Sequence, residues 1–219
     1  MKTALVFGSS GLIGNELLNI IVQNNNYNHI KLFVRSIPKK NNSKLEIIQT
    51  DFINLEKHKD SIVGDDCFFC IGTTRKETPD KNEYRRIEHD IPTNVARIAK
   101  LNSVDSFIYV SSLGANSSSS SFYLKNKGQV EEELNNLNFG KLVVIRPSIL
   151  LGKRKRYRLG ESVGKYVMKK LSIFFLASFK KYKPIQAHHV AKAMVIIAQN
   201  NYQKIFFESN QLEEIGKIT

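Results

Sequence analysis

At 219 residues with 42% hydrophobic content, the chain has material for one α/β domain with a substantial core, and two independent domains would be cramped. Thirty-three basic against twenty acidic residues leave a net charge of +13, a surface that attracts nucleotide phosphates, acidic headgroups or nucleic acid without choosing among them. No stretch approaches the ~20 apolar residues of a membrane span, and the apolar run over 3–7 breaks at Gly8-Ser9-Ser10-Gly11, where a secretory signal needs its apolar centre; the cytoplasm is the expected compartment.

Strand-like runs at 3–7, 30–34, 46–49, 67–71, 106–111 and 141–146 alternate with helical stretches, the pattern of a parallel sheet built from βαβ units. The clearest helices are predicted over 11–23, where Leu12, Ile13, Leu17, Leu18 and Ile21 recur at helical spacing, and over 91–101, with a further helix expected from about Phe122 to Leu137. The fold class expected is a doubly wound α/β sheet of Rossmann type in a single domain. Residues 1–148 form its cofactor-binding core, and 149–219 form mainly a small substrate lobe on the sheet's carboxyl edge. Cys67 and Cys70 have CxxC spacing, but they lie in an apolar run that reads as a buried strand and no second ligand pair occurs, so no metal site is expected.

Gly8-Ser9-Ser10-Gly11-Leu12-Ile13-Gly14 has GxxGxxG spacing between a strand and an amphipathic helix. Gly8 permits the tight turn, Gly11 lets backbone approach a pyrophosphate, and Gly14 allows close packing of helix on strand. The N–H groups of Ser10 to Gly14 are placed to face the anion at the helix start. At the end of the second strand, where an NAD-selective site carries an acidic residue, stands Arg35, with Lys39 and Lys40 nearby and no Asp or Glu between 31 and 40. A guanidinium there suits the 2′-phosphate of NADP, so NADP(H) is expected over NAD(H).

Tyr123 and Lys127 are four apart and share one helix face. A free tyrosine titrates near ~10 and exchanges protons poorly at neutral pH, whereas an ammonium at ~4 Å contributes roughly 4 kcal/mol at an effective dielectric of ~20, about three pKa units. Ser111 and Ser112, ending the preceding strand, are placed to orient a carbonyl or alcohol.

These motifs, with Cys70-Ile71-Gly72-Thr73-Thr74-Arg75, Ser111-Ser112-Leu113-Gly114-Ala115, Tyr123-Leu124-Lys125-Asn126-Lys127-Gly128 and Arg146-Pro147, resemble over nearly the whole chain the short-chain dehydrogenase/reductase superfamily, in its atypical branch of Tat-interacting tumour-suppressor-like oxidoreductases. The resemblance implies that Tyr123 transfers the proton, that Lys127 tunes it and holds the nicotinamide ribose, and that Ser112 positions the reacting oxygen. It places Gly72 and Thr73 along the cofactor's middle, Asp51 near the adenine and Pro147-Ser148 beside the nicotinamide. Where many relatives add an asparagine, Glu88 or Asp90 falls near its place. The superfamily's habit of pairing the helices after the fourth and fifth strands leaves a homodimer open.

The cluster Lys153-Arg154-Lys155-Arg156-Tyr157-Arg158 reads as a solvated loop rather than a nucleic-acid patch; on the substrate side of the fold, Arg154, Arg156 or Arg158 would grip a phosphate or carboxylate. The apolar run 171–179 between lysine pairs reads as a lobe helix in preference to a membrane-surface segment. His188 and His189 are expected as cap or packing residues before a helix near Val190. The function expected is NADP-dependent hydride transfer to or from a small carbonyl or alcohol. The alternatives are a cofactor-binding regulatory protein with little turnover and, third, a nucleotide-sugar epimerase or dehydratase, for which the second lobe offers little enclosing material.

Overall fold

The computed structural model describes residues 1–38, 42–152 and 177–218. Of the apolar run 171–179, residues 171–176 and the side chains of 177–179 lie outside that description. A parallel sheet is built from β1 (Lys2–Phe7), β2 (Tyr27–Val34), β3 (Leu45–Gln49), β4 (Asp66–Phe69), β5 (Ser106–Val110), β6 (Lys141–Arg146) and, late in the chain, β9 (Phe206–Glu208), in the order β3-β2-β1-β4-β5-β6-β9. The order reverses between β1 and β4, and at such a switch point the crevice beyond the strands' carboxyl ends is where open α/β sheets bind ligands.

Both faces of the sheet's centre are buried, so β1, β4 and β5 are apolar at most positions instead of alternating with polar residues. Ala4, Val6, Phe68, Ile108 and Ile145 point to the layer formed by α1 (Leu12–Gln23) and α5 (Ala187–Gln199). The intervening Leu5, Phe7, Phe69, Phe107, Tyr109 and Val144 point to α3 (Ile91–Leu101) and α4 (Phe122–Asn136). On that second face a row of rings crosses the sheet: Phe7 stacks on Phe33 at 4.3 Å and on Phe69 at 5.8 Å, and Phe69 meets Tyr109 at 6.1 Å. The row ends beneath the amino-terminal half of α4.

The helix before α3 is not regular. α2 (Lys81–Arg85), N-capped by Asp80, runs into a π-helical turn at Arg86–Asp90, closed by a bond from the Ile91 N–H to the Arg86 carbonyl. The physical cause is Pro92, which has no N–H for the Glu88 carbonyl and whose ring crowds that carbonyl. The Thr93 hydroxyl donates to the carbonyls of His89, at 3.0 Å, and Asp90, at 3.1 Å.

After β6, the short strands β7 (Leu150–Leu151) and β8 (Ile185–Gln186) pair in parallel beyond the sheet's carboxyl edge. The chain then returns to the sheet body: α5 packs along α1, followed by β9 and α6 (Ser209–Gly216). Gln186 leaves the β7–β8 ladder in an extended conformation and caps α5, so this helix begins at Ala187 and not near Val190. His188 and His189 therefore sit in its first turn, facing Glu16 at 3.2 Å and Glu213 at 2.9 Å. The His189 ring and Lys217 hold the Glu213 carboxyl below its usual range against the opposing effect of burial.

Candidate cofactor and proton-transfer site

The turn after β1 has the geometry its glycines suggest. Gly8 has φ +88°, and a Cβ on it would stand 2.7 Å from the backbone of Cys70 and Ile71. The Gly11 N–H closes the turn onto the Gly8 carbonyl at 3.0 Å. Gly14 lies so close beneath that a Cβ would come within 2.1 Å of the same carbonyl oxygen. No side chain caps α1 at Gly11, Ser10 and Gly11 are exposed, and the helix starts with only backbone facing outward. A pyrophosphate fits such a cradle because it takes its bonds from N–H groups and the positive end of the helix dipole. Leu12 is half-buried against Gly152, which brings the β7 segment over the turn, while Ile13 belongs to the core.

Arg35 and Asp51, far apart in sequence, line one cleft of about 370 Å³ at the ends of β2 and β3, together with Gln49, Thr50, Asn54, Lys57 and His58. The Gln49 amide donates to the Arg35 carbonyl at 3.2 Å. Glu83 lies within electrostatic reach of Arg35, but its carboxylate is engaged by Arg86 through two bonds of 2.7 Å, which hold its pKa below the usual range. Lys39 and Lys40 lie outside the described residues, as do Arg154, Arg156 and Arg158.

Ser121 caps α4 by accepting from the Leu124 N–H, which places Tyr123 in the first turn and Lys127 one turn later. Tyr123 is half-buried and Lys127 is buried. The Lys127 ammonium meets the Tyr109 hydroxyl at 3.1 Å, the Val110 carbonyl at 3.1 Å and the Glu88 carboxylate at 3.0 Å. Burial works against its charge, yet Glu88 foremost, with Tyr109 and Tyr123, outweighs burial and keeps the ammonium well above its ordinary pKa. The other Glu88 oxygen accepts the Thr73 N–H, and Gly72 leaves room for that carboxylate, since a Cβ there would stand 3.2 Å from it. Gly72 and Thr73 are thus tied to the lysine through one glutamate.

Ser112 stands at the end of β5 with its hydroxyl 3.4 Å from the Leu113 carbonyl, and the Leu113 N–H donates to the Pro147 carbonyl at 3.0 Å, joining the serine and proline segments. Ser111 turns the other way, onto Glu131, which also takes Arg146 at 3.0 Å through Nε. Cys70 is no thiolate: burial pushes its thiol up to about 12 despite the Lys127 charge.

Tyr109 carries no role in the motif reading, and Glu88 appears there only as one of two residues near the place of the superfamily's asparagine. Tyr109 is signalled by strand alternation, which puts it on the face of Phe107 and Phe69, toward α4. Glu88 is signalled by Pro92, four residues on, since a proline inside a helical run forces an irregular turn at its i−4 carbonyl. The lysine's field, treated from sequence as acting on Tyr123 alone, is shared with the Glu88 carboxylate.

Residues 8–200 match the family described as NAD(P)H-binding. The chain belongs to the NAD(P)H-binding family. Among its relatives is the protein FMP52-1, mitochondrial, of Scheffersomyces stipitis, 30% identical over 230 residues, 98% of this chain and 99% of that protein. Another is FMP52, mitochondrial, of Debaryomyces hansenii, 31% identical over 90% of this chain and 87% of that protein. Protein HTATIP2 of Rattus norvegicus is 34% identical over 73% of this chain and 66% of its own length. This NAD(P)H-binding chain is accordingly an atypical short-chain dehydrogenase/reductase of the HTATIP2-like branch. The expectation of a cytoplasmic compartment is overturned by the same relatives, whose FMP52 members are named mitochondrial.

Solved structures share the fold. The Bordetella bronchiseptica enzyme WbmH in complex with NAD+ superposes with a TM-score of 0.72 over 99% of this chain and 79% of its own, at 15% identity. A UDP-N-acetylglucosamine 4-epimerase from Methanobrevibacter ruminantium M1 gives 0.70 over 97% and 80%, at 18% identity. At such identities the likeness is one of architecture.

Proposed function

We propose that the protein is an NADP-dependent oxidoreductase that moves a hydride to or from a small carbonyl or alcohol, with Tyr123 as the proton-transferring group. The observation that carries this reading is the buried Lys127 ammonium one helical turn from Tyr123, in a chain whose first βα turn is an uncapped glycine cradle.

The backbone of Ser10 to Gly14 would hold the pyrophosphate, Asp51 the adenosine, and Arg35 with Lys57 the 2′-phosphate; two cations against one carboxylate in that cleft favour the phosphorylated nucleotide. Gly72, Thr73 and Pro147 would border the rest of the molecule. When bound, the nicotinamide supplies or takes the hydride. Tyr123 gives its hydroxyl proton to the substrate oxygen in reduction and takes it back in oxidation, and Ser112 donates a hydrogen bond that fixes that oxygen. Lys127 presents a permanent cation beside the tyrosine, which favours the phenolate left behind by proton transfer. Arg154 and Arg158 are assigned to an acidic group on the substrate.

The test is Tyr123→Phe, assayed with a panel of small carbonyls by NADPH oxidation and with NADPH alone by fluorescence titration. Turnover should fall at least a hundredfold, within the ~10²–10⁴ expected for a lost acid–base group, with the dissociation constant within about twofold of the parent. Undiminished turnover would remove Tyr123 from the chemistry.

A further inference from the structure

Glu88 is 1% exposed and sits on a π-helical turn, with both carboxylate oxygens aimed at groups of the site and none at a basic surface residue. A carboxylate stripped of water and paired with a lysine is a poor way to stabilise a fold, because desolvation of both ions consumes the attraction. The Lys127 ammonium donates hydrogen bonds to the Tyr109 hydroxyl and the Val110 carbonyl, and the Glu88 Oε2, which has no hydrogen-bond partner of its own, stands 3.0 Å from it as an ion pair. Both acceptors stand on strand β5. Glu88 is the partner that carries charge, and it reaches the lysine from another element, the irregular turn created by Pro92. Through its second oxygen it also fixes the backbone at Thr73. The titratable groups around the ammonium are Glu88, Tyr109, Tyr123 and Cys70, with Tyr84 behind Glu88.

We propose that Glu88 is a positioning residue of the site, holding the Lys127 ammonium charged and aimed with one carboxylate oxygen while its other oxygen pins the Gly72-Thr73 loop along the cofactor's path. Lysine and loop are then set by a single side chain, and loss of its charge loosens both. The inference rests on the reading of Lys127 as a member of the dinucleotide site. A purely structural Glu88 would affect melting and nothing else.

The distinguishing measurement is the dissociation constant of NADPH, by fluorescence, between pH 7 and 10 for the parent, Glu88→Gln, Glu88→Asp, Lys127→Met and the Glu88→Gln/Lys127→Met double variant. In the parent the lysine stays charged across the range and contributes no slope. In Glu88→Gln, burial is no longer opposed by a carboxylate, so Lys127 loses its proton as pH rises and NADPH affinity should fall by at least threefold more than in the parent. The double variant should lose that extra slope, and Glu88→Asp should restore part of the parent profile. A Glu88→Gln profile parallel to the parent's overturns the proposal while leaving the site reading intact, whereas Lys127→Met with parent-like NADPH binding overturns the site reading itself. Should Glu88→Gln fail to fold, the double variant decides: it is expected to fold and to melt above the single one because the uncompensated ammonium is gone, and a double variant that also fails to fold refutes the coupling.

Discussion

Two alanine substitutions three residues apart separate the glycine turn's part in folding from its part in binding. In Gly14→Ala the new Cβ would meet the Gly8 carbonyl oxygen at 2.1 Å and its carbon at 2.8 Å, where ordinary contact begins at 3.4 Å. The obstructing atoms are backbone and cannot rotate aside, so α1 and the turn must separate by about 1.3 Å. Overpacking of that kind costs up to about 3 kcal/mol, offset by roughly 1 kcal/mol from alanine's better helix propensity. The net of about 2 kcal/mol corresponds to a melting temperature roughly 4–8 °C lower for a chain of this size. In Gly11→Ala the backbone, at φ −74° and ψ 173°, suits any residue, and the Cβ stands 3.3 Å from the Gly8 oxygen and 3.9 Å from that of Cys70. Melting should therefore move by no more than ~2 °C. The methyl group nevertheless occupies the surface on which a pyrophosphate must lie, and NADPH should bind at least tenfold more weakly, about 1.4 kcal/mol. Calorimetric melting and fluorescence titration on the same preparations test both. Parent-like binding by Gly11→Ala would refute the placing of the pyrophosphate, and an unshifted Gly14→Ala melt would refute the packing argument.

Arg35→Asp should exchange the preference for NADPH for one toward NADH, with NADPH affinity reduced roughly ten- to a hundredfold, the worth of one or two charge-assisted hydrogen bonds; unchanged selectivity in paired titrations would remove Arg35 from the adenosine end. Alkali should destabilise the fold. Burial raises the pKa values of the Cys67 and Cys70 thiols and of the Tyr27 and Tyr109 hydroxyls, with Asp66 adding to the rise at Tyr27. A folded-state pKa above the unfolded one gives stability that is whole below the unfolded values, ~8.5 for thiol and ~10 for phenol, and is lost as pH rises through the folded ones. Melting temperatures should thus decline from about pH 9 upward, and a flat profile from pH 7 to 10.5 would contradict the neutral, buried state of these groups.

Much of the fold was legible because its signals are local. The β strands expected at 3–7, 46–49 and 141–146 match β1, β3 and β6 to within a residue, because each carries a short apolar run between polar flanks. Helices over 12–23 and 91–101 follow from 3.6-residue periodicity, and the glycine turn from the close approach it requires. The start of α5 was misjudged by three residues because its cap is supplied by a strand pair, β7 with β8, whose members are 35 positions apart and invisible to any local window.

What the amino-acid order determined by itself is the first six strands, the helices α1, α3 and α4, the cradle at Gly8 to Gly14 and the one-turn spacing of Tyr123 and Lys127, all consequences of backbone sterics and side-chain period over a few residues. Only the tertiary structure decided that Glu88 lies on Lys127, that Arg35 and Asp51 share a cleft, and that the chain's last third returns to pack α5 on α1. Those contacts join residues brought together by sheet order and crossovers, and their energy exists only once water has been removed from between them.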